Sequence, residues 1–225
     1  MHRQELIQLI HNGKDPFDHL DVLPSTPVGS SFYSSGIDYI FHHVKDVKLI
    51  AEVGSWQGGS AMDQADYLIR NNIDAQVVCV DTWLGDMFMR ENCGDLLCFK
   101  NGFPMVYWNF LSNVKNRKVE NYIVPFPSTS VDAARFFWKN KIKFDIIYID
   151  ASHEELEVRC DTLFWWDCLR PGGIMYGDDY YWTGVKKAVG DFVTVKDLLV
   201  YVDERHAKWK IYKDQDKDKK NEYNT

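Results

Sequence analysis

No stretch of this chain stays apolar for the roughly 20 residues that a membrane span requires. The N-terminal MHRQELIQLIHNGKD also lacks the apolar segment of a signal peptide, so neither a span nor a targeting segment is expected. Positive charge is scarce: 26 Lys and Arg stand against 33 Asp and Glu, for a net charge of -7. Sequence-independent nucleic-acid binding needs a basic footprint, and only a short strip (Lys115, Arg117, Lys118) offers one. Cysteine is present but unpatterned. Cys79, Cys93, Cys98, Cys160 and Cys168 are odd in number and hold no C-x-x-C pair. That disfavours zinc and makes a reduced, cytoplasmic compartment the simplest reading.

What is present reads as globular. The chain is 45% hydrophobic and 15% aromatic over 225 residues, enough for one domain with a sizeable core. Short apolar runs bounded by turn signals predict parallel strands at Leu49–Val53, Ala75–Asp81, Tyr122–Phe126, Phe144–Asp150 and Ile174–Asp178. Helical patterns alternate with them at 37–47, 60–70, 107–114, 130–140 (capped by Ser130), 154–169 and 183–193. This alternation predicts α/β architecture, a Rossmann-like doubly wound and mainly parallel sheet. Leu198–Val202 and Lys208–Tyr212 predict a closing antiparallel hairpin. Residues 1–47 read as an N-terminal helix and a Pro- and Gly-rich connector or cap, 48–212 as the main domain, and 213–225 as a disordered charged tail. Residues 82–107 form a long insertion of the kind that makes lids, with Trp83 placed to line a pocket.

The chain is organised around LIAEVGSWQGGS, residues 49–60. A strand, a glycine-rich turn and a helix place a ligand at the strand's carboxyl end. The dinucleotide fingerprint G-x-G-x-x-G fails here, because Trp56 stands where the second glycine would admit a pyrophosphate. The phosphate-binding G-x-x-x-x-G-K-[ST] fails for want of a lysine. A ligand without phosphates at the turn is favoured, and S-adenosylmethionine fits. Asp81 would accept its ribose diol, and Glu52 would offer negative charge near its cationic end. A turn kept only for packing, and an Asp81 that merely ends its strand, are the alternatives.

Asp150, Asp178 and Asp179 end two neighbouring strands, about 5 Å apart in the pairing direction. Such carboxylates repel, and a hard divalent cation such as magnesium would resolve the repulsion and could lower the pKa of a substrate hydroxyl. Helix capping, or pairing with Lys186 or Arg170, is the alternative. His153 follows Asp150 into the first turn after the strand. It titrates near neutrality, as a general base should, although packing or ligation would also place it there. Trp182 is placed to line the same pocket.

Together, AEVGSWQGGSA, CVDTWLGD, IVPFPSTS, FDIIYIDASHEE, LRPGGIMYGDDYYW and GVKKAVGDF resemble the class I S-adenosylmethionine-dependent methyltransferases, in order, from about residue 48 to residue 212. Within that class the chain is similar to the small-molecule group carrying IDG-x-H and GDDY motifs, the metal-dependent sugar O-methyltransferases of antibiotic biosynthesis. The resemblance implies a seven-stranded sheet with its last strand antiparallel. It implies cofactor contacts at Glu52, Gly54, Ser55, Gly58, Ser60, Asp81, Ser128 and Asp150, magnesium at Asp150, Asp178 and Asp179, and catalysis by Asp150, His153 and Asp179. Members commonly carry an acidic residue two positions after the first aspartate. This chain has Ser152 there, which shifts the base role to His153. The expected activity is methyl transfer to a hydroxyl oxygen of a small molecule, a sugar or glycan, with magnesium assistance, in a chain free to form homo-oligomers. The competing readings are an inactive cofactor-binding module and a nicotinamide-dependent oxidoreductase.

Overall fold

The computed structural model describes residues 1–26, 34–92 and 94–214. The apolar runs form the strands β1 (Leu49–Val53), β2 (Gln76–Asp81), β3 (Ile123–Pro127), β4 (Phe144–Ile149) and β5 (Leu169–Gly177). These five run parallel in the order β3-β2-β1-β4-β5. The sheet continues through β7 (Lys208–Tyr212), antiparallel to β5, to the edge strand β6 (Tyr201–Asp203), making seven strands. The Rossmann-like α/β sheet with an antiparallel C-terminal end is therefore present as expected.

Alternation along the strands explains why both faces are covered. Leu49, Ala51, Val53, Val78, Val80, Ile147 and Ile149 join one core layer. Ile50, Val77, Cys79, Ile146 and Tyr148 join the other. Helices α1 (Arg3–His11), α6 (Ser130–Lys139), α7 (Glu155–Cys168) and α8 (Thr183–Lys196) close the first layer. Helices α2 (Ser34–His43), α3 (Gly59–Arg70) and α5 (Val106–Arg117) close the second. In α8, Val185, Ala188, Val189, Phe192 and Val193 repeat at the 3–4 spacing that puts one apolar stripe on the sheet. Each such buried aliphatic or aromatic side chain stabilises the fold by about 1.5–3 kcal/mol before the entropy of ordering it.

The structure corrects several boundaries. Thr129, not Ser130, caps α6: its hydroxyl accepts the Asp132 N–H at 3.2 Å, which leaves Ser130 free for the interior. β5 begins at Leu169, straight after α7, so the Arg-Pro-Gly-Gly run is the irregular start of a strand, with a register shift between Phe144 and Ile146. Lys213 is not tail: it is 8% exposed, and its ammonium donates to the carbonyls of Trp166 and Leu169 at the end of α7. The insertion holds a short helix, α4 (Met87–Asn92), and a 3₁₀ turn, Gly94–Leu97. The described part of the N-terminal segment packs along β3 and α5. His11 Nε2 meets the Pro125 carbonyl at 2.7 Å, and the backbone N–H groups of Leu23 and Thr26 donate to Ser112 and Asn113 on α5. Residues 27–33 and the rest of the tail, 215–225, lie outside the described residues.

Candidate active site

Strand order reverses between β1 and β4, and the crevice at that point is where a doubly wound sheet binds its ligand. The backbone ladder runs on beyond the strands and aligns the site: Gly54 N donates to the Val80 carbonyl at 2.8 Å, Asp150 N to Val53 at 2.8 Å, and Asp178 N to Ile149 at 3.3 Å. Gly54 has φ 88°, and a Cβ there would sit 2.1 Å from the Asp150 carbonyl oxygen. Only glycine permits that approach, so this turn joins the two halves of the site.

Above it opens a cavity of about 850 Å³. Of the candidate site residues, Gly54, Ser60, Asp81, Ser128, Asp150 and His153 line it. Glu52, Ser55 and Gly58 do not reach its wall. Glu52 is fully buried beneath the turn, where Gln64 Nε2 donates to it at 2.5 Å. Burial pushes its pKa to about 8, against hydrogen bonding from Ser60, Ser55 and Gln64. Trp83 is 1% exposed and packs on Tyr107 and Phe110 in the core, so it is not a pocket residue; its indole N–H donates to the Trp56 carbonyl. Trp182 does line the cavity, with its ring 4.5 Å from that of His153. Sequence reading missed a wall made by Ser130, Leu156, Glu157, Cys160 and Asp161, and the contribution of Asp86 and Met89 from the insertion. Ser130 donates to Asp161 and accepts the Trp165 indole N–H, while burial pushes the Asp161 pKa to about 6. A mixed polar and apolar helix face gave no signal for that wall.

Asp81 is held by backbone. Its Oδ2 accepts the N–H of Ser55 at 3.0 Å and Trp56 at 2.8 Å, and its Oδ1 accepts that of Trp83 at 2.7 Å. The carboxylate thus clamps the glycine turn, on which Trp56 adopts φ 46°. Burial raises its pKa, and these donors oppose the rise.

The second carboxylate group is held by side chains. The His153 Nε2 lies 2.7 Å from Asp179 Oδ2. This bond raises the His153 pKa, against burial, and lowers that of Asp179. Asp179 turns its carboxylate from a left-handed backbone, φ 54°, a region where Asp is enriched. Asp150 Oδ2 accepts the Tyr148 hydroxyl at 2.8 Å, and burial, then Asp178, pushes its pKa to about 6. Asp178 is drawn away: its Oδ2 binds the Lys208 ammonium at 2.6 Å and lies 3.3 Å from the Tyr148 hydroxyl, and its Oδ1 accepts the Asp179 N–H at 2.9 Å. The tight donor group is Asp150, His153 and Asp179, with one ligand atom of each within 4.8 Å of the others. Of the three carboxylates expected to hold magnesium, Asp150 and Asp179 fall in this group beside His153, and Asp178 is instead paired with Lys208.

The donor set fits the expected cofactor better. Five acids line the cavity (Asp81, Asp86, Asp150, Glu157, Asp161) and, among the described residues, no Lys or Arg does. A pyrophosphate finds no counter-charge there; a sulfonium and an ammonium do. Two residues of the basic strip are paired elsewhere, Arg117 with Asp63 and Asp66 and Lys115 with Glu120.

A mainly parallel seven-stranded sheet with an acidic crevice at its switch point is the frame of a class I methyltransferase. The family model described as a methyltransferase domain matches residues 51–180, more than half of the chain, and the chain belongs to that family. It is a class I S-adenosylmethionine-dependent methyltransferase. Solved structures share the fold. CalS11, a calicheamicin methyltransferase, is 15% identical, with 79% of this chain and 77% of that one covered and a TM-score of 0.58. The O-methyltransferase TomG from Streptomyces achromogenes, involved in tomaymycin synthesis and solved with S-adenosylmethionine, is 11% identical over 80% and 79%, with a TM-score of 0.55. An rRNA methylase from Streptococcus thermophilus is 11% identical over 80% and 95%, with a TM-score of 0.56. No protein of curated function matches the chain. No helix among the described residues is long and apolar enough to cross a membrane.

Proposed function

We propose that this protein transfers the methyl group of S-adenosylmethionine to a hydroxyl oxygen of a small molecule, a sugar or glycan, in a reducing, cytoplasmic setting. The observation that carries the cofactor assignment is the acidic cavity, free of Lys and Arg among the described residues, at the switch point. Asp81 and Ser60 would hold the ribose side and Ser128 the adenine side, while the buried Glu52 supports the turn from beneath. The sugar-type acceptor rests on the motif resemblance and on likeness to enzymes such as CalS11.

When bound, the cofactor supplies an electrophilic methyl on sulfur, whose transfer breaks a C–S bond, forms a C–O bond and releases the hydroxyl proton. His153 takes that proton. Its Nε2 is engaged by ionised Asp179, so Nδ1 is the nitrogen left to act as base. Asp179 fixes the ring and stabilises the imidazolium, and Trp182 supports its face. Asp150 bounds the acceptor side, and Asp86 and Met89 of the insertion complete the cavity wall. A divalent cation has no part in this reading. A methyl-transfer assay against a panel of glycans and phenols tests it; turnover on a glycan hydroxyl supports it, and S-adenosylmethionine binding with no transfer to any member speaks for a binding module instead.

A further inference from the structure

We propose that Lys208 takes the place of a divalent cation at the carboxylate cluster, so that a tethered ammonium holds Asp178 and Tyr148 in position and the site holds no metal. The inference rests on the methyl-transfer reading of the site.

Register puts the lysine there. In the β5–β7 pairing Tyr176 faces Lys210 and Gly177 faces Trp209, so the next position sets Asp178 against Lys208. That register cannot slip. The Trp209 indole packs against Gly177, where an added Cβ would fall 2.4 Å from Trp209 Cζ2, and a one-residue shift would turn every β7 side chain to the opposite face. The resulting ion pair is 2.6 Å long, with only 13% of the Lys208 and 17% of the Asp178 side chain exposed. The same ammonium lies 3.5 Å from the Tyr148 hydroxyl, which donates to Asp150. One fixed positive charge thus connects Asp178, Tyr148 and Asp150. His153 occupies Asp179 from the other side. A magnesium ion would have to displace the ammonium from Asp178, or share that carboxylate with it, and either is costly at such burial. Lys208 is a positioning residue, since it acts through Asp178 and Tyr148.

Calorimetric titration of the full chain with magnesium chloride alone, and with manganese chloride alone, tests this. The wild type is expected to show no saturable site at millimolar cation. Lys208→Met should gain a one-to-one site at least about tenfold tighter than any wild-type binding, and Lys208→Arg, which keeps the charge, should gain none. Saturable wild-type binding that Asp179→Asn removes overturns the proposal, as does a folded Lys208→Met with no site. If Lys208→Met does not fold, the wild type decides it: methyl transfer in excess chelator should be unchanged, and loss restored by magnesium overturns it. S-adenosylhomocysteine binding, measured separately, shows whether the cofactor reading stands apart from the cation.

Discussion

The two ends of the cavity hold their carboxylates differently. At the β1–β2 end Asp81 is gripped by three backbone N–H groups, from Ser55, Trp56 and Trp83. At the β4–β5 end Asp150, Asp178 and Asp179 are held by side chains, those of Tyr148, Lys208 and His153. Backbone donors cannot be moved by substituting a residue, so the first end is a rigid cofactor seat. Side-chain donors carry protons and charge, so the second end is where chemistry and specificity can be set.

If the ends divide the labour in this way, damage to one should leave the other intact. His153→Ala should have the largest effect, lowering turnover by about 10²–10⁴-fold as loss of a general base does, while calorimetry shows S-adenosylhomocysteine binding unchanged. Asp81→Ala should do the reverse. Cofactor affinity should fall by about tenfold or more, and a loss of about 1–3 kcal/mol in a denaturant melt should follow from three stranded N–H donors. Unchanged cofactor affinity in that variant would remove Asp81 from the seat.

A subtler effect belongs to pH. His153 must be neutral to accept a proton, and Asp179 raises its pKa above 6.5. Activity should therefore fall as pH drops through that raised value, and Asp179→Asn should move the acid limb to lower pH. A profile that does not move contradicts the pairing. In stability the sign is opposite for the two partners. The His153 contribution is complete below its ordinary 6.5 and lost as pH rises through its raised folded value. The Asp179 contribution is present above the ordinary carboxylate value and lost as pH falls through its depressed one. Smallest of all, Trp182→Leu should lower turnover only a few-fold, because it removes the support of His153 and not the base itself.

The same contrast explains what could be read in the chain beforehand. The strands, the switch point and the acids at the strand ends follow from local patterns: apolar runs of five or six residues, each ending in a turn. Asp81 and Gly54 were legible for that reason, although their close contacts, with the turn's N–H groups and with Asp150, were not. The cap of α6 falls on Thr129 and not on Ser130 because three hydroxyl residues stand side by side in Ser128-Thr129-Ser130, and only geometry says which one caps. Trp83 was misplaced because an aromatic in a long loop looks exposed, yet here the loop folds inward on Phe110. Lys208 was invisible as a site residue. Its partner lies 30 positions away, across an antiparallel strand whose register no local pattern states.

The central claim is that an acidic crevice seated on backbone binds S-adenosylmethionine. Calorimetry of the full chain with S-adenosylhomocysteine, and in parallel with NADH, tests it most directly. One-to-one micromolar binding of S-adenosylhomocysteine, weakened in Asp81→Ala, with no binding of NADH, is the predicted result; NADH binding with none of S-adenosylhomocysteine would contradict it.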